Sequence, residues 1–253
     1  VLFAIFLMGI PIGFSLGIVS LIGIISESFP LKVIVQRLLI GADNYALVAI
    51  PLFILAGSLM SHGGMSRRLV EFSNALIGHW SSGLAMVSIL ASMFFAAITG
   101  SAIAASAAIG GLMIPLMIDE GYDARFAAPL ISTAGSIGPI IPPSIPLLVY
   151  GVTTNNSVAE LFMAGVVPGI IMGIALMLIS YYFGKKRNYR GRETKAEFSE
   201  ILKSGKSAVL ALLTPIIIIG GIFSGLFTAT ESGVVAVVYA FLIGKLVYKE
   251  LTW

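Results

Sequence analysis

From Leu161 to Gly184 the chain carries no charged side chain. A run of this length constrains everything else. Hydrocarbon offers no water to an exposed amide or carbonyl, so a continuous apolar run that crosses it must close its hydrogen bonds within itself, as helix. About 20 apolar residues suffice for one crossing, and the window 157–184 exceeds that with Glu160 as its one charge. Comparable runs occupy 1–26, 45–61, 83–117, 124–151, 207–224 and 232–248. The composition agrees: 58% of residues are hydrophobic and 11% charged, where a soluble domain is about one-quarter charged. Mean hydropathy is +1.02. The expected class is an all-α polytopic membrane protein.

Several function classes drop out. The net charge of +3 and pI of about 9.2 come from basic residues clustered beside apolar spans. They lack aromatic interleaving and indicate membrane orientation rather than nucleic acid. With no cysteine, disulfides and thiolate metal sites are excluded. His62 and His79 have no partner at ligand spacing, and no Walker motif or hydrolase elbow is present. Ser101 in "TGSAI" is not a G-x-S-x-G nucleophile, so an enzyme is not expected. Asn155 and Asn156 read as an exposed loop, and Glu231 as a cap of the helix that follows. The chain opens on Val1, already inside an apolar run, and the expectation is a piece of a longer protein.

Between the spans, residues 30–43 and 64–79 alternate charged and apolar positions at helical spacing and read as interfacial arms. A third arm is expected over 193–206. Residues 83–117 are too long for one crossing and short for two: 83–98 and 102–117 would each reach about 24 Å against a hydrocarbon core of about 30 Å. A re-entrant hairpin with Thr99, Gly100 and Ser101 at its tip fits, with two thin, tilted crossings as the alternative. Either count puts Arg67, Arg68, Arg125, the basic stretch 185–195, Lys203, Lys206, Lys245 and Lys249 on one side and leaves Lys32 and Arg37 opposite. By the positive-inside rule the basic side is cytoplasmic.

The stretch "GSIGPIIPPSIP" (135–146) interrupts a span with four prolines. Each removes an amide donor and clashes with the carbonyl four residues back, so Pro139, Pro142, Pro143 and Pro146 release the carbonyls of Gly135, Gly138, Pro139 and Pro142. Non-helical backbone at this depth is tolerated only against protein or a water-filled cavity. Freed carbonyls with a nearby hydroxyl make an oxygen cage for a hard monovalent cation, and the half-helix beginning near Ser144 offers its positive end to an anion. The bland alternative is a proline kink satisfied by neighbouring helices.

The segments "IPLFILAGSLM" (50–60), "TGSAIAASAAIGGLMIPLM" (99–117), "GYDARFAAPLISTAGSIGPIIPPSIPLLVYG" (121–151), "LFMAGVVPG" (161–169) and "GGIFSGLFTATESGVVAVVYAFLIG" (220–244) together resemble the large membrane subunit of tripartite ATP-independent periplasmic (TRAP) transporters over nearly the whole chain. That resemblance implies an inverted-repeat secondary transporter of elevator type in the bacterial cytoplasmic (inner) membrane. It implies sodium-coupled import of an organic acid anion, of the sialic acid or C4-dicarboxylate class. The implied partners are a periplasmic substrate-binding protein and a small four-helix membrane subunit. On this pattern residues 1–82 are scaffold helices and arms. Residues 83–156 are transport-domain elements, with the hairpin at 83–118 and the broken helix at 124–151. Residues 157–206 hold a transmembrane helix with its basic loop and arm, and 207–253 begin a second repeat whose hairpin and broken helix are not in this sequence. The sodium candidates are Thr99, Ser101, Gly138, Pro139 and Pro142. The substrate candidates are Ser101, Ser136, Pro143 and Ser144. A non-transporting scaffold or passive channel component is the alternative.

Overall fold

A computed structural model describes residues 1–192 and 194–251. The described residues are helical with no strand, and they form two compact units divided between Asn44 and Tyr45. The first unit holds α1 (Leu2–Leu7), α2 (Ile12–Ser26) and α3 (Lys32–Ala42). The single span expected over 1–26 is therefore interrupted. Pro11 supplies no amide to continue α1 and caps α2 instead, and the Ser15 hydroxyl donates to the carbonyls of Ile10 and Pro11 at 3.1 Å each. The arm expected at 30–43 is α3, none of whose residues is buried.

The second unit contains a short 3-10 turn (Tyr45–Val48), α4 (Ala49–His62), α5 (Met65–Ile77), α6 (Gly83–Thr99), α7 (Ala102–Asp119), α8 (Ala124–Gly135), α9 (Ile145–Thr154), α10 (Val158–Lys186), α11 (Phe198–Phe223) and α12 (Ala229–Leu242). A π-turn (Ile243–Val247) follows. Among the described residues, Tyr45–His62, Ala102–Asp119, Val158–Lys186, Phe198–Phe223 and Ala229–Val247 are long and apolar enough to cross a membrane. Local chemistry explains most boundaries. Ser101, Asp123, Ser144, Ser157 and Thr228 each cap the helix they precede with a side-chain oxygen. Thr228 and Glu231 form a reciprocal capping box, the Glu231 carboxylate accepting from the Thr228 amide at 2.8 Å.

A second boundary differs from expectation. The arm over 193–206 and the crossing from 207 are not separate, because α11 runs unbroken from Phe198 to Phe223. Glu193 lies outside the described residues. The switch from charged to apolar composition near residue 207 changes the helix's surroundings but removes no backbone hydrogen bond, so nothing ends the helix there.

Two apolar clusters hold the second unit together. One joins α5, α6, α7 and α8 through Leu69, Ile89, Phe95, Ile109, Met113 and Ile131. The other joins α4, α9, α10, α11 and α12 through Phe53, Leu148, Phe162, Ile218 and Ala236. Helix α5 buries Met65, Leu69 and Ala75 and leaves Arg67 and Glu71 outside as an exposed 3.0 Å pair. The Tyr239 hydroxyl donates to the Leu210 carbonyl at 2.9 Å, and that of Tyr248 to Ser207 at 2.8 Å, tying the α12 region to α11. Helices α6 and α7 pack side by side, a hairpin joined by two residues.

Candidate functional site: hairpin tip and proline break

The hairpin turns in the smallest space available. Helix α6 ends at Thr99, and the Gly100 amide donates to the Ala96 carbonyl at 2.8 Å. Gly100 itself is left-handed, with φ +59, a conformation glycine adopts without a Cβ penalty. Ser101 is extended and starts α7, its hydroxyl accepting from the Ala104 amide at 3.3 Å. The break is built on the same plan. Helix α8 ends at Gly135, two loose turns follow, and Ser144 is extended and starts α9, accepting from the Leu147 amide at 3.2 Å. Pro146 lies in the first turn of α9, where its missing donor costs nothing.

Of the four carbonyls released by the prolines, two find new donors. Gly135 accepts from the Gly138 amide at 2.9 Å, and Pro139 accepts from the Ser144 hydroxyl. The carbonyls of Gly138 and Pro142 accept no hydrogen bond from the described residues, nor do those of Pro143 and Gly100.

Tip and break are in contact, and glycines make the contact possible. A methyl placed on Gly100 would collide with the Pro143 carbonyl and lie 3.1 Å from the Ser144 Cα. One on Gly138 would lie 2.9 Å from the Ser101 carbonyl carbon and 3.1 Å from the Ala102 nitrogen. One on Gly135 would strike the Ser106 hydroxyl. On the far side, α10 backs the break with a row of glycines. Gly165 faces the Ile140 carbonyl and Leu147, Gly169 faces Ile141, and Gly173 faces Met93 of α6. Small residues at this four-residue spacing let backbones approach closely.

The sequence candidates fall into distinct places. Gly138, Pro143 and Ser144 are buried in the contact, with Ser101 half-buried beside them, and the neighbouring Pro142 is buried as well. Pro139 is half-buried, and its carbonyl is engaged by the Ser144 hydroxyl within the break. Thr99 is buried, but its hydroxyl donates to the Phe95 carbonyl at 3.2 Å and its methyl packs on Gly57 of α4, so only its backbone belongs to the tip. Ser136 is exposed and donates to the Thr133 carbonyl at 2.7 Å, away from the contact. Gly100 and Ser106 belong to the contact and were not among the sequence candidates. Gly100 is expected at the hairpin tip as a turn residue only, and nothing local distinguishes Ser106.

Electrostatically the site works with partial charges. No charged residue occurs from 83 to 118 or from 126 to 159. What converges instead is the carbonyl end of α6 and the amide ends of α7 and α9. Helix N-termini favour anions. A set of neutral carbonyl and hydroxyl oxygens fits a hard cation of low charge. Among the described residues no cluster of His, Asp or Glu could hold a transition metal.

The family described as "Tripartite ATP-independent periplasmic transporter, DctM component" matches residues 1–253. The chain belongs to this family. It is 45% identical, over 96% of its own length, to the sialic acid TRAP transporter large permease protein SiaM of Vibrio cholerae, covering 57% of that protein. It is 44% identical over 90% of its length to the 2,3-diketo-L-gulonate TRAP transporter large permease protein YiaN of Escherichia coli, covering 53%. With the C4-dicarboxylate TRAP transporter large permease protein DctM of Rhodobacter capsulatus the identity is 37% over 99% of the chain and 60% of the relative. The chain thus spans somewhat over half the length of these relatives. They are transporter permeases, not enzymes, and this member of the DctM family is a multi-pass membrane protein.

Proposed function

We propose that this chain is the N-terminal portion of the large membrane subunit of a sodium-coupled secondary transporter that imports an organic acid anion across the bacterial inner membrane. A periplasmic binding protein delivers the substrate, and a small four-helix membrane subunit completes the complex. The substrate class is a carboxylate of the sialic acid or C4-dicarboxylate kind, in keeping with what relatives 45% and 37% identical are named for. The hairpin is re-entrant and moves with the broken helix in an elevator-like step, and a second, inverted repeat beyond this sequence closes the site.

The observation that carries the proposal is the seating of Gly100 against Pro143 and Ser144. It brings the tip residues Gly100 and Ser101 against Gly138, Pro143 and Ser144 of the break, and the neutral backbone and hydroxyl oxygens of these residues are of the kind that suits a sodium ion. The same contact turns two serine-capped helix starts toward one region, which suits the substrate carboxylate. Backbone ligands survive side-chain substitution, so single changes weaken the site without erasing it.

The test is uptake by the intact transporter in proteoliposomes. An inward sodium gradient should drive accumulation of a labelled organic acid above equilibrium without ATP. Ser101→Ala and Ser144→Ala should each raise the sodium concentration for half-maximal uptake roughly threefold to tenfold, the size of one net hydrogen-bond-scale interaction of about 1 kcal/mol. Uptake unchanged when choline replaces sodium, with no proton gradient, would reject the coupling. Solute that equilibrates without accumulating would favour a passive channel component.

A further inference from the structure

At the end of α6 remote from the tip, the loop after α10 lies over the turn that leads from α5 into α6. The Ser82 amide donates to the Tyr189 carbonyl at 3.0 Å, and the Arg192 amide to the Gly78 carbonyl at 2.9 Å. Beside this union lies an open hollow of about 440 Å³ whose walls include His79, Ser81, Lys185, Asn188 and Arg190. No carboxylate lines it among the described residues, and Glu120 lies in the adjoining hollow that shares Asn188 and Arg190. Arg187 pairs with Asp123 at 4.0 Å and Arg192 with Glu200, while Lys185 and Arg190 make no ion pair with the described residues. The His79 Nδ1 is buried there with no hydrogen-bond partner among them.

Ser81 also lines a second hollow of about 450 Å³, whose other walls are Trp80, Met86, Leu178 and Tyr181. This one is apolar, and it opens outward: Trp80 is 47% exposed and Leu178 65%. Leu178 and Tyr181 lie on α10, one of the helices long and apolar enough to cross the membrane. A basic hollow and an apolar hollow therefore adjoin at Ser81, with the charge at the helix end and the apolar face along the span. A basic hollow alone would take any phosphate, and an apolar hollow alone any acyl chain. The two joined match a molecule that carries both.

We propose that these joined hollows bind an anionic phospholipid of the leaflet on the basic side, its headgroup phosphate between Lys185 and Arg190 and an acyl chain along Trp80, Leu178 and Tyr181. Basic residues at the end of a membrane helix attract anionic headgroups, and Trp and Tyr settle at the headgroup boundary. The inference is independent of what the hairpin tip binds.

Trp80 provides the test. In the intact protein, with every other tryptophan replaced by phenylalanine, its fluorescence is measured in phosphatidylcholine bilayers doped with brominated phosphatidylglycerol or brominated phosphatidylcholine. Brominated phosphatidylglycerol should quench roughly fivefold more effectively per mole. Lys185→Gln/Arg190→Gln should abolish that preference, and Lys203→Gln/Lys206→Gln on α11 should preserve it. Equal quenching by the two lipids in the unaltered protein would overturn the proposal, as would a preference retained in Lys185→Gln/Arg190→Gln. Relief of phosphatidylglycerol quenching by inorganic phosphate would identify a soluble anion as the occupant and reject the lipid.

Discussion

Replacing Gly100 by alanine should part the hairpin tip from the proline break. At φ +59 an L-residue costs about 1–2 kcal/mol. The added methyl also meets backbone, with the Pro143 carbonyl carbon 2.9 Å and the Ser144 Cα 3.1 Å from its ideal position. Backbone cannot swing aside like the end of a side chain, and overpacking of this kind costs about 1–3 kcal/mol. Together the two effects cost about 2–5 kcal/mol. Two controls separate them. Gly121, at φ +82, has nothing within 4 Å of its ideal Cβ position, so alanine there carries only the conformational penalty. Gly111, inside α7, also has nothing within 4 Å and no unusual φ, so alanine should be neutral or stabilise by about 0.5–1 kcal/mol. Thermal unfolding of the intact protein in detergent should rank Gly111→Ala at or above the parent, Gly121→Ala below it and Gly100→Ala lowest. If Gly100→Ala melts no lower than Gly121→Ala, the tip does not lie against the break, and the proposed cage loses its basis.

Truncating Tyr189, which stacks on Tyr122 at 4.1 Å between ring centroids and accepts from the Asp123 amide at 3.0 Å, should cost about 1–3 kcal/mol as Ala and only about 0.5–1.5 kcal/mol as Phe, which keeps the stack. Equal denaturation midpoints for the two variants would show the ring contact to be inert. Burial raises the Tyr122 hydroxyl above its ordinary pKa of 10.0, and that hydroxyl has no hydrogen-bond partner among the described residues. An acid raised in the folded state stabilises fully below its unfolded pKa, and that contribution is lost as pH climbs through the folded value. The parent should therefore lose stability above about pH 10, and Tyr122→Phe should lose less; identical alkaline melting curves would contradict this. In a cysteine-free background, Lys186→Cys should react with an impermeant thiol reagent from the cytoplasmic side and Asn156→Cys from the opposite side. The reverse pattern would invert the orientation.

Much of the architecture was written in local chemistry. Gly100 and Ser101 between two apolar runs require a tight turn and a cap, and Ser144 ahead of Pro146 requires a helix start, whatever surrounds them. Four prolines exclude a continuous helix over 135–146 because the missing donors are covalent facts. Propensity and capping act within a few residues, so they are legible in one dimension. The same locality explains where the reading erred. Composition separated an arm from a crossing near residue 207, yet the hydrogen-bond ladder of α11 is indifferent to which solvent its side chains face. The span over 1–26 was read by hydropathy alone, which does not register the missing amide of Pro11.

Only the tertiary structure decided which of these elements meet. The juxtaposition of Gly100 with Pro143 and Ser144, of Ser106 with Gly135, and of the α10 glycines with Ile140 and Ile141 joins residues far apart in the chain or on different helices. It depends on the directions in which whole helices pack, and no window of sequence encodes that. The same packing turned the Thr99 methyl toward Gly57 of α4 and left the Ser136 hydroxyl on its own helix. Residue type identifies a hydroxyl that could serve a site, but the path of the backbone determines the direction it faces.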